Sequence, residues 1–153
     1  MPTAPDVLRR LVGTWHLVEW AAHNPDGSIS YPLGRDVVGQ IMYGNDGRMS
    51  VQLMRADQPR FADDYWGRAT SAEKAEAWGN YFGYFGTYAI DAHAEVVTHR
   101  LEGSWFPNLV GTEQMRHYQF DGDQLVLSAG TPWGKFRIVW DKLNGTRRSK
   151  ADT

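Results

Sequence analysis

The sequence predicts a mainly β chain, a single antiparallel barrel of about eight strands with one short helix inserted before the fourth strand. Three observations predict it. Turn-forming clusters recur at short intervals, at Asn24-Pro25-Asp26-Gly27, Gly44-Asn45-Asp46-Gly47, Asp91-Ala92-His93, Asp121-Gly122-Asp123 and Gly130-Thr131-Pro132-Trp133-Gly134, all built from residues that favour turn dihedrals. The runs between them alternate with period two and are rich in aromatic and β-branched residues. Successive strands joined by hairpins can also close on themselves, which removes sheet edges and leaves an interior able to hold one small ligand. An open sandwich is the rival arrangement.

The strands are expected at 13–22, 37–43, 48–54, 84–90, 95–103, 112–120, 124–128 and 135–143. The helix is expected at 71–82, where Thr70 and Glu73 have the spacing of a capping box ahead of an alanine-rich stretch. Ala75, Trp78 and Phe82 would share one face of it and lie against the barrel, as core or over an open end. A length of 153 residues suits one domain, here residues 8–143. The flanking segments 1–7 and 144–153 are polar or proline-containing and are expected to be loosely ordered.

Strand parity then selects interior residues. In 112–120, Tyr118 and Phe120 alternate with His117 and Gln119, which carries Arg116 and Gln114 to the aromatic side. In 95–103, His99 shares a face with Val97 and Leu101. Pairing Gly103 with Thr112 sets His99 opposite Arg116, Leu101 opposite Gln114 and Val97 opposite Tyr118. An inward arginine needs a partner, because an isolated buried charge costs several kcal/mol. Glu19, on the parity of Trp15 and Leu17, is the candidate carboxylate; a ligand is the alternative. The inner faces of 37–43 and 48–54 stay open: one choice turns in Met42, Met49 and Gln40, the other Tyr43, Ser50 and Gln52. Trp105 and Phe106 lie in a loop and are expected to fold back over the core or to rim a mouth.

Composition excludes several classes. Sixteen basic against eighteen acidic side chains give a net charge of −2, too balanced to gather phosphates, so nucleic acid is not an expected partner. The mean hydropathy is −0.51 and no apolar run reaches the roughly 20 residues of a membrane helix. The N-terminus lacks the pattern of a secretion signal and there is no cysteine, so a cytoplasmic address is expected. There is no phosphate-cradling loop and no nucleophile elbow, and His16, His23, His93, His99 and His117 show no metal-binding spacing; neither cofactor nor metal is expected. The adjacent Asp63 and Asp64 read as solvated loop residues. Seven Trp, seven Tyr and six Phe supply more flat apolar surface than a small core uses, and part of it is expected to line a pocket.

Gly13-Thr14-Trp15, at the head of the first strand, resembles the G-x-W signature of the lipocalins. The blocks "SYPLG" (30–34), "GQIMYGNDGRMSVQLMR" (39–55), "FGTYAID" (85–91), "SWFPNLVGTEQMR" (104–116) and "FDGDQLVLS" (120–128) resemble the lipocalin-like domain of small bacterial and fungal proteins. The resemblance implies a calycin-type barrel with a central cavity, and Arg137 as a latch on Trp15. Relative to secreted lipocalins, the sequence lacks a disulfide, inserts a helix before the fourth strand and has none after the last. Related small barrels include cofactor-free cyclases, isomerases and lyases as well as binders.

Three functions remain. The first is a cofactor-independent acid–base enzyme, an isomerase, cyclase or lyase, acting on a small aromatic oxygen-bearing molecule. It would use His99 to move a proton, Arg116 to hold an oxyanion and Glu19 beside them. Tyr118, Tyr88, Tyr43, Gln114 and Gln52 would supply hydrogen bonds, and Trp78, Phe82 and Trp105 the apolar walls. The second is a non-catalytic binder of a small hydrophobic ligand using the same groups. The third is a homodimer whose excess aromatics pack between subunits. The cost of burying histidine beside arginine tilts the choice toward the enzyme.

Overall fold

The computed structural model describes residues 1–132 and 134–143, and across them the sheet closes into a barrel. Its strands are β1 (Gly13–His23), β2 (Ile29–Ser30), β3 (Val37–Tyr43), β4 (Arg48–Arg55), β5 (Tyr81–Asp91), β6 (Val96–Ser104), β7 (Glu113–Asp121), β8 (Gln124–Thr131) and β9 (Gly134–Leu143). β3 to β9 follow one another as antiparallel neighbours, and β1 pairs with both β3 and β9, which closes eight strands. The two-residue β2 is an addition on β1, with Ala22 opposite Ser30. The barrel prevails over the sandwich because the first strand pairs with the last, leaving no edge in the ring.

Two helices depart from expectation. Residues 1–7 do not form a loose tail: helix α1 (Ala4–Leu11) starts from a capping box in which Thr3 and Asp6 satisfy each other's backbone N–H groups. It is held by burying Val7 and Leu11 in the core. Helix α2 (Ser71–Gly79) begins at Thr70 with the expected capping box, and Glu73 also accepts from the Ala62 N–H, tying the preceding loop to it. It ends three residues early, so Phe82 sits on β5. Pairing of Tyr81–Thr87 with β4 outweighs the marginal helix propensity of a glycine-flanked aromatic run. The segment 144–153 lies outside the described residues. No helix among the described residues is long and apolar enough to cross a membrane.

One end of the barrel is plugged. The Trp15 indole N–H donates to the Leu11 carbonyl at 2.8 Å. The cation over its ring is Lys142, with Nζ 4.4 Å from the centroid and hydrogen bonds to the Arg10 and Val12 carbonyls. Arg137 does not fill this role: the β1–β9 register puts Lys142 opposite Trp15 and Arg137 opposite Ala21, with an exposed side chain. Arg10 lies over the Phe120 ring at 4.2 Å, fixing α1 to the same end.

Where β5 bends around β6 the register shifts at Phe85/Gly86, and a Cβ built on Gly86 would stand 1.8 Å from the Arg100 carbonyl oxygen. The backbones touch there, so only glycine fits. Gly86→Ala should therefore cost more than about 2 kcal/mol in urea denaturation. A loss within about 0.5 kcal/mol would show that the strands can part without penalty.

Candidate functional site

A single extra residue organises the open end. Between Leu17 and Glu19 the β1–β9 register slips by one, a β-bulge. Trp15 and Leu17 face inward before it, and Trp20 faces inward after it. Glu19 is thereby turned off the parity of Trp15 and Leu17. It is not among the residues lining the cavity and does not pair with Arg116; unbroken alternation through Val18 was the wrong premise.

The cavity beyond the plug has a volume of about 350 Å³, at the lower end of the range for small-molecule sites, roughly 300–1,000 Å³. Aliphatic side chains from β3, β4, β8 and β9 form its floor, among them Ile41, Val51, Leu53, Leu127 and Ile138. Trp20, Phe82, Trp105, Phe106, Phe136 and Trp140 make the aromatic wall. Trp105 folds back as expected, 4.4 Å from Phe82 between ring centroids. Trp78 packs on Trp105 and Phe106 from outside and stays half exposed. It supports the wall without lining it.

Four polar side chains, from β5, β6 and β7, meet this space. His99 and Arg116 are both buried, at 1% and 8% exposure, as parity predicts. The register differs by two residues from expectation: His99 faces Gln114, and Val97 faces Arg116. A shift of two keeps every side chain on its face, so the cluster survives the error. Gln114 and Tyr84 complete the lining. Tyr84 shares the parity of Phe82 and Tyr88, a signal present in the sequence that pointed to it.

His99 is clamped between two phenols. Tyr43 Oη lies 2.6 Å from Nε2 and Tyr84 Oη 2.6 Å from Nδ1. Burial, reinforced by the Arg116 charge, lowers the imidazole pKa from the ordinary 6.5 to about 3, so the ring is neutral. Burial also raises both phenols, with Arg116 opposing it through charge on each and through a hydrogen bond on Tyr84. A neutral imidazole has one N–H and one bare nitrogen, so one phenol donates to it and the other accepts. Tyr43 is fully buried with no other partner among the described residues. It must therefore donate to Nε2, which places the ring proton on Nδ1, donating to Tyr84 Oη. The hydroxyl proton of Tyr84 is left to face the cavity.

The remaining expected residues lie elsewhere. Tyr43 and Met49 are opposite each other and both point inward, whereas Gln52 and Ser50 point outward with Gln40 and Met42. Neither of the two groupings open from sequence was whole, because directly paired residues share a face. Gln52 accepts from the Tyr81 hydroxyl outside the barrel. Tyr88 packs edge-on against Tyr43 and donates to the Gly44 carbonyl at 2.6 Å. Tyr118 is buried at the plugged end, beside Phe120 and α1, in a separate cleft of about 250 Å³. Among the described residues, no three His, Asp or Glu side chains converge on a point that could hold a metal.

A barrel closed around an internal apolar cavity defines a small-molecule-binding class, and the chain belongs to the lipocalin-like domain family, whose model matches residues 12–142. Among characterised proteins it is similar to the 4'-hydroxy-3'-methoxypropiophenone carrier protein ppsC of Aspergillus oryzae, with 33% identity over 90 residues that cover 55% of this chain and 81% of that protein. Among solved structures, a redesigned β-barrel is similar at a TM-score of 0.46 and 14% identity, over 90% of this chain and 95% of that one.

Because folded His99 stays neutral down to about pH 3 while the unfolded histidine titrates near 6.5, the unfolded chain binds the extra proton between those values. Its contribution is complete above pH 6.5 and is lost as pH falls toward 3, by up to about 1.4 kcal/mol per pH unit. His99→Gln should be less stable than wild type near pH 7, and the gap should narrow on acidification to about pH 5. Urea denaturation of both proteins checks this; a gap independent of pH would show that His99 titrates alike folded and unfolded.

Proposed function

We propose that this chain binds a small aromatic, oxygen-bearing molecule inside the barrel and carries it unchanged. The observation that carries the reading is the cavity's composition: among the described residues, an aromatic and aliphatic wall interrupted by the convergent polar groups Tyr84, His99, Arg116 and Gln114, with Thr131. Such a lining buries a flat ring and fixes it by one or two oxygens. The carrier of Aspergillus oryzae is named for a phenyl ketone bearing hydroxyl and methoxy oxygens, a molecule of the class this lining suits. His99 supports carriage over proton transfer, since both of its nitrogens are engaged by phenols and its pKa lies about 3, well below the range of an effective base at neutral pH.

A second reading, cofactor-independent isomerisation, cyclisation or elimination, is favoured by one feature. The Tyr84 hydroxyl, aligned by His99 and backed by the Arg116 charge, could donate a proton to a ligand oxygen. Here Tyr84 acts at the ligand, and His99 positions it.

Because Trp20, Trp105 and Trp140 line the wall, titration with 4-hydroxypropiophenone should quench tryptophan fluorescence saturably. Under carriage the signal stays constant over hours and the extracted ligand is unaltered. A drifting signal with a new product would establish the catalytic reading instead, and absence of saturable quenching would refute both.

A further inference from the structure

The polar lining of the cavity is one-sided in charge. Among the described residues that line it, Arg116 is the one charged side chain, and the ion pairs of the described residues join other arginines to carboxylates, none of them Arg116. Its contacts are the Met115 carbonyl at 3.0 Å, the Phe136 ring, 4.9 Å from the guanidinium carbon, and the Tyr84 hydroxyl oxygen. None of them returns a negative charge. The titratable groups facing it are Tyr43 from β3, Tyr84 from β5 and His99 from β6, and all three are held neutral by burial. A buried cation without a counter-ion is stabilised by whatever anion can reach it.

Donors also outnumber acceptors. The accounting around His99 leaves the Tyr84 hydroxyl proton facing the cavity next to Arg116, while its oxygen is occupied by the imidazole N–H. The indole N–H groups of Trp20, Trp105 and Trp140 are buried in the same wall with no partner among the described residues. Gln114 offers the amide oxygen as acceptor, but its NH₂ already donates to Thr112. A ligand meeting this lining gains by presenting an oxygen that only accepts.

We propose that the cavity takes its aromatic ligand as the phenolate, with the oxyanion between the Arg116 guanidinium and the Tyr84 hydroxyl. On binding, the O–H bond of the ligand breaks, the proton goes to the buffer and the electron pair stays on the oxygen. The inference rests on the aromatic-ligand reading above and adds to it the ionisation state and the pair of donors that select it.

The probes are 4-hydroxypropiophenone, whose phenolate absorbs at longer wavelength than the phenol, and its 4-methoxy ether, which has no proton to lose. Absorbance of the hydroxyl compound with excess protein, followed from about pH 5 to 9, should show an apparent pKa lower than that of the free compound by at least about one unit, equivalent to about tenfold preference for the phenolate. The ether should bind about tenfold more weakly above the free compound's pKa, and the difference should vanish as pH falls toward 5. Arg116→Gln should abolish the shift, while Arg116→Lys, which keeps the charge, should retain part of it. If hydroxyl compound and ether bind wild-type protein alike and the bound pKa is unshifted, phenolate selection is overturned and the aromatic-ligand reading stands. If neither compound quenches saturably, that reading fails and this inference falls with it.

Discussion

Barrel, plug and cavity all follow from the seam between β1 and β9. Closing the ring there removes the last sheet edge, and the bulge at Val18 lets one strand serve two ends of the molecule. Ahead of the bulge, Trp15 and Leu17 fill the barrel and are capped by α1 and Lys142. Beyond it, Trp20 turns inward and meets Phe82 and Phe136 to begin the wall of the cavity. Without the extra residue the parity of Glu19 would turn a carboxylate into the cavity that Arg116 also lines. The bulge thus keeps that carboxylate off the arginine's side of the wall.

The plug and the cavity use cations in opposite ways. Lys142 sits on an indole and bonds two backbone carbonyls at the end of a helix, so its charge is absorbed by local dipoles and a π face. Arg116 has a single backbone carbonyl and one ring, and its other neighbours are two phenols and an imidazole kept neutral by the same burial. Low dielectric makes each member of that cluster depend on the others: a protonated His99 beside Arg116 would be costly. The tyrosine–histidine–tyrosine chain therefore fixes the imidazole, with Tyr43 holding one ring nitrogen and Tyr84 the other at the cavity wall.

Much of the fold was legible in sequence because hairpin barrels are written in local signals. Turn residues and alternation placed β3 to β9 to within a few residues, and the Thr70–Glu73 box located the start of α2. The capping pair Thr3 and Asp6 was equally legible at the N-terminus, yet proline and polar composition suggested a loose tail. The burial of Val7 and Leu11 under the barrel decided otherwise. Parity also put His99, Arg116 and Gln114 inside, and it did so despite a register wrong by two, because a shift of two leaves every side chain on its face.

Periodicity was readable residue by residue: mainly β, hairpin-linked, aromatic on one face, with a histidine and an arginine on inward faces. Closure of the ring, and the identity of the groups that complete the site, came from the folded chain. The exclusion of Glu19 and the admission of Trp20 turn on one bulged residue, which alternation cannot foresee. The pairing of His99 with Tyr43 and Tyr84 joins residues 56 and 15 positions away, and Tyr118 and Gln52 fall outside because barrel curvature and cross-strand register assign them elsewhere. Local signals report dihedrals and faces; a cavity is made by strands distant in the chain meeting across the barrel axis, and that meeting exists only once the ring has closed.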